Sequence, residues 1–166
     1  MHYIVISCIG PDKKGIVESL SQIISQYKGN WQTSSLHHLS GFFAGVIEIS
    51  VNEKVSSQLV SALQKIEGLH CQIELAKPDT SSVKTNLILD LTANDRAGIV
   101  QEVSSVIHDQ QGNLIKLVSS QYSAAHTGQL MFKAKVQISI NEKYIDDLIS
   151  ALEHIADDLM VDISRD

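Results

Sequence analysis

Along this chain the apolar positions switch between two spacings: one recurs every second residue, as in a half-buried strand, and one every third and fourth, as in an amphipathic helix. Residues 3–9 are apolar on both faces, which predicts a central strand. Ile16, Val17, Leu20, Ile23 and Ile24 then mark one face of a helix over residues 15–28, and Gly29 predicts its end. Residues 31–39 and 42–51 read as a hairpin turning at Ser40-Gly41, with Phe43, Ile47, Ile49 and Val51 on one face. Val55, Leu59, Leu63 and Ile66 form a second helical stripe. Leu69, Cys71, Ile73 and Leu75 close the series as an alternating strand.

The series then repeats. Asp12-Lys13-Lys14-Gly15-Ile16-Val17 returns as Asp95-Arg96-Ala97-Gly98-Ile99-Val100, and Gly29-Asn30 returns as Gly112-Asn113, both 83 residues on (Gly15 to Gly98). Asn52-Glu53-Lys54 returns as Asn141-Glu142-Lys143, 89 residues on, and Tyr144, Leu148, Leu152 and Ile155 repeat the second helical stripe. The growth in offset places six extra residues in the second hairpin, within residues 119–132. Between the copies, Lys77-Pro78-Asp79-Thr80-Ser81-Ser82 breaks every period. The expected organisation is a domain over residues 1–76, a linker over 77–84 and a second domain over 85–166. Each has the order βαββαβ, the ferredoxin-like α+β arrangement of a four-stranded antiparallel sheet with two helices on one face. The bare sheet face carries Val5, Phe42 and Val46, so pairing between the copies or in a homodimer is expected to cover it.

Composition narrows the chemistry. Thirteen basic against nineteen acidic residues, a net charge of −6 with no basic stripe, argue against gripping a phosphate backbone, so no direct nucleic-acid contact is expected. The opening Met1-His2-Tyr3-Ile4 has no basic leader, and no apolar run reaches the ~18 residues of a membrane span, which predicts a cytoplasmic protein away from membranes. Cys8 and Cys71 fall on strands expected to pair and read as reduced core thiols. His37 and His38 are adjacent on a strand and point to opposite faces, so they do not suggest a shared metal ion. No phosphate loop, dinucleotide fingerprint, nucleophile elbow or zinc-protease motif occurs, and neither an enzyme nor a cofactor is expected.

A strand, then Asp-x-x-Gly-Ile-Val opening a helix, then Gly-Asn opening the next strand, resembles the ACT domain of amino-acid-responsive regulators. The resemblance covers both copies. Two such modules and an enlarged second hairpin look like the glycine cleavage system transcriptional repressor family, although Lys14 and Ala97 stand where the usual ACT loop has Pro. The resemblance implies negative regulation of transcription through a separate DNA-binding activator, with glycine the first candidate ligand. A second reading is a regulatory subunit of an amino-acid or nitrogen-metabolism enzyme.

An amino acid needs donors for its carboxylate and acceptors for its ammonium. Backbone N–H groups at a helix start supply the donors, and Gly15 and Gly98 let a ligand approach. The implied binding residues are Asp12, Lys14, Gly15, Ile16 and Asn30 in the first copy and Asp95, Ala97, Gly98, Ile99 and Asn113 in the second. Asp12, Asn30 and their mates would offer oxygens to the ammonium. An Asp ahead of a helix also serves as an N-cap worth about 1 kcal/mol. The sequence leaves both roles open.

Overall fold

The computed structural model describes residues 1–76 and 85–165, and the expected linker at 77–84 lies outside them. The chain divides into two compact units, Met1–Thr80 and Ser81–Asp166. In the first, strand β1 (His2–Pro11) leads to helix α1 (Ile16–Gln26), the hairpin β2 (Asn30–Leu39) and β3 (Phe42–Val51), helix α2 (Glu53–Leu63) and strand β4 (His70–Ala76). The antiparallel sheet has the order β2-β3-β1-β4, so β1 is central as its two apolar faces require. The second unit repeats this with β5 (Thr85–Asn94), α3 (Ile99–Asp109), β6 (Asn113–Ser123), β7 (Leu130–Ile140), a 3-10 turn Glu142–Tyr144, α4 (Ile145–Glu153) and β8 (Met160–Arg165), in the order β6-β7-β5-β8.

Each core lies between one sheet face and its two helices. In the first unit Ile4 and Ile6 of β1 stand opposite Ile49 and Ile47 of β3, and all four pack with Leu20 and Ile24 of α1 and Leu59 and Leu63 of α2. In the second, Leu87, Leu89 and Leu91 pack with Val136 and Ile138, Val103 and Ile107, and Leu148 and Leu152. The buried seam of α1 is Ile16, Leu20 and Ile24, a strict four-residue spacing. Val17, expected on that face, is exposed, as is Val100 in α3. Leu75, expected to point inward from β4, is 65% exposed because it lies near the end of an edge strand.

Helix α1 is shorter than the sequence pattern suggests, and its end has an unexpected cause. The left-handed residue there is Lys28, at φ 55, rather than Gly29. Gly29 is needed for room: its N–H donates to Ile24 O at 2.9 Å, and a Cβ would stand 2.9 Å from Ile24 Cγ2. Gln111 and Gly112 repeat this against Ile107. Of the six residues added to the second hairpin, four enlarge the turn, which grows from Ser40-Gly41 to residues 124–129, and one lengthens each strand.

Candidate functional site

The loop from β1 to α1 leaves the sheet beside the hairpin turn. Asp12 N–H donates to Gly41 O at 2.9 Å, and in the second unit Asp95 N–H donates to Leu130 O at 2.9 Å. Gly15 and Gly98 are the N-cap residues, at φ 86 and φ 90, a conformation that a Cβ would strain. No side chain caps either helix. Asp12 and Asp95 are therefore not N-caps, which removes the alternative role left open by the sequence. Helical bonding begins with Ser19 N–H to Gly15 O and Glu102 N–H to Gly98 O, so the N–H groups ahead of these lack intrahelical partners at the positive end of each helix.

The two aspartates are held alike. His38 Nδ1 on β2 lies 3.1 Å from Asp12 Oδ2, and Gln121 Nε2 on β6 donates to Asp95 Oδ2. His38 and Gln121 stand at the same repeat offset of 83 as the loops they hold. The cations differ. Lys13 Nζ donates to Glu67 O at 3.1 Å, whereas Arg96 turns back onto Glu102 at 2.7 Å. Lys14, Ala97, Gly15 and Gly98 are exposed, and Ile16 and Ile99 are core residues that anchor the helix starts.

Asn30 and Asn113 are not brought to these loops. Asn30 pairs with Ser50, which pairs with Tyr3, eight residues from the Pro11 end of β1. At ~3.3 Å per residue that is roughly 26 Å from the loop. Asn113 has the matching position opposite Ser139 and Asn86. The sequence pattern alone gives Lys13 no role. Its signal was a positive charge kept at one position in both copies, Lys13 and Arg96.

Cys8 and Cys71 face each other across the β1–β4 pair, and both are free thiols. Cys8 is buried and Cys71 half-buried; burial pushes both thiols up, Cys71 to about 11 with the neighbouring Cys8 adding to the rise. Among the described residues no cluster of three or more His, Cys, Asp or Glu suits a metal ion, and no helix is long and apolar enough to cross a membrane.

The family model of the ACT domain matches residues 2–74, nearly all of the first unit. The first unit is an ACT domain. The second has the same element order and sheet order, so the chain folds as two ACT-type domains. Over 99% of its length the chain is similar to an unknown protein from Galdieria sulphuraria, with 98% of that chain covered, 23% identity and a TM-score of 0.87. It is also similar, at 15% identity, to a protein provisionally assigned as a glycine cleavage system transcriptional repressor, with 99% and 98% of the two chains covered and a TM-score of 0.65. At these identities the likeness is one of fold. No curated protein sequence matches the chain.

Proposed function

We propose that this chain is an amino-acid-responsive regulator that acts by binding another protein, as a negative regulator of transcription of the glycine cleavage type. The observation that carries the reading is the pair of helix starts at Gly15 and Gly98. Each has a left-handed glycine as N-cap and no capping side chain, and each loop is held by a clasp from the neighbouring strand. Uncapped first-turn N–H groups suit a carboxylate, and Asp12 and Asp95 supply acceptors for an ammonium. ACT domains as a class bind amino acids and mediate regulatory interactions, which supports the same reading. Asn30 and Asn113 stay outside this site. The enlarged turn at 124–129 is the proposed docking element for a DNA-binding partner, since binding residues concentrate on such loops.

Calorimetry of the full chain against the twenty amino acids, up to millimolar concentration, tests the reading. Binding of at least one of them, lost in Gly15→Val or Gly98→Val, is the expected result. Silence toward all twenty removes it. A ligand alters docking only as far as it prefers one state of the chain, so its effect on partner capture measures that preference.

A further inference from the structure

Beside the first loop the sheet edge opens into a hollow of about 500 Å³, within the range of small-ligand sites. Its walls include Ile9, Pro11, Phe42 and Leu69, with Gln64 and His70 adding polar groups. Ile9 and Phe42 are 53% and 49% exposed, so apolar area faces water there. Gly68 forms part of the lining, and Lys13 Nζ stands 3.6 Å from where a Cβ on Gly68 would lie.

The second unit, built on the same register, fills the matching place differently. Asn94 replaces Pro11 opposite Met131, the counterpart of Phe42, and Thr92 replaces Ile9 opposite Met160, the counterpart of His70. Asp158, in the loop before β8, accepts the Asn94 N–H at 2.8 Å. The first unit has no such tie, because Pro11 has no N–H to give and Gly68 no carboxylate to receive one. Arg96, the counterpart of Lys13, is engaged with Glu102 on its own helix. Three differences act together: the tie is missing, the walls at Ile9 and Pro11 become apolar, and the cation stands beside Gly68 of the lining.

We propose that this hollow receives the side chain of an apolar amino acid in the leucine and phenylalanine class, with the Lys13 ammonium facing its carboxylate, and that the second unit does not share the pocket. This rests on the amino-acid reading above and narrows it. A ligand without a side chain leaves Ile9 and Phe42 in water, whereas an isobutyl or benzyl group covers them. Each added methylene in such a pocket is worth tenfold or more in discrimination, so leucine binds at least roughly tenfold more tightly than glycine. The ammonium of Lys13 contributes equally to every amino acid.

Calorimetry of the full chain with glycine, L-leucine and L-phenylalanine decides the matter. The expected result is one leucine or phenylalanine per chain, bound at least tenfold more tightly than glycine. Phe42→Ser and Ile9→Thr should each erase that preference; both residues are exposed, and far-UV circular dichroism confirms that the variants fold. Lys13→Gln should weaken all three ligands by a similar factor. Glycine binding as tightly as leucine, two leucines per chain of equal affinity, or an unchanged leucine affinity in folded Phe42→Ser each overturns the pocket while leaving amino-acid sensing intact. Silence toward all amino acids overturns both.

Discussion

Glycine residues in this chain serve two different needs. Gly15 and Gly98 are required by a left-handed backbone at the helix starts, while Gly10 is required by room: a Cβ there would stand 2.1 Å from Gly68 O. Gly10→Ala should therefore destabilise the protein by about 1–3 kcal/mol, the usual cost of overpacking, as read by a lower urea midpoint. Its counterpart is Ala93, buried without such a neighbour, so Ala93→Gly should cost no more than about 1 kcal/mol. The repeat made Gly29 and Gly112 legible in the sequence, but not their reason, because the contact with Ile24 or Ile107 exists only once the chain turns back. The thiols give a prediction of another kind. Cys71 ionises near 9.0 when unfolded and near 11 when folded, so the folded state holds the proton more tightly. The unfolded state binds fewer protons between these values, and stability should fall as pH rises from about 9 to 11. Cys71→Ala should remove most of that decline, and below pH 8 neither Cys8 nor Cys71 should react readily with iodoacetamide in the native protein.

Among the elements, the helix starts show what periodicity can and cannot reveal. The alternating pattern gave every strand and helix its place, and the hairpin at Ser40-Gly41 and the facing of Cys8 and Cys71 follow from it. It did not show which polar residues cap. Asn52 accepts a hydrogen bond from Lys54 N–H at 3.0 Å, and Asn141 from Lys143 N–H at 3.2 Å, so the repeated Asn-Glu-Lys is a repeated N-cap. Asp12 and Asp95, which have an equally suitable side chain, do not cap, because the left-handed glycines occupy the N-cap position. Asn52→Ala should cost about 1 kcal/mol in urea unfolding. Asp12→Ala breaks only an exposed pair with His38 and should cost less than about 0.5 kcal/mol, so the two substitutions separate a capping carboxamide from a carboxylate that the helix does not need. Asn30 and Asn113 mark the limit of sequence reading from the other side. Each directly follows the glycine just past the end of α1 or α3, and the eleven-residue helix followed by antiparallel pairing carries it to the opposite end of the sheet from its loop.

At the scale of the whole molecule the charge carries the argument. Specific DNA binding draws much of its strength from Lys and Arg that neutralise phosphates and release counterions. This chain has thirteen such residues against nineteen acidic ones. Several are already engaged: Arg96 with Glu102, Lys135 with Asp90, Arg165 with Glu142, and Lys13 with the Glu67 carbonyl. Among the described residues each helix is a core-packing element of its own unit. On the proposed function, the chain reaches DNA through a partner. Mixed with labelled operator fragments, the chain alone should give no sequence-specific retardation. Weak retardation at low salt would not count against this if it vanished as salt rose and was indifferent to sequence, since that is the signature of residual phosphate attraction. A tight complex that distinguishes one operator from its scrambled copy at physiological salt would overturn the prediction. Replacing residues 124–129 with Ser-Gly, the turn of the first hairpin, should leave the fold intact and abolish capture of a DNA-bound partner; capture that survives the replacement would place the docking surface elsewhere.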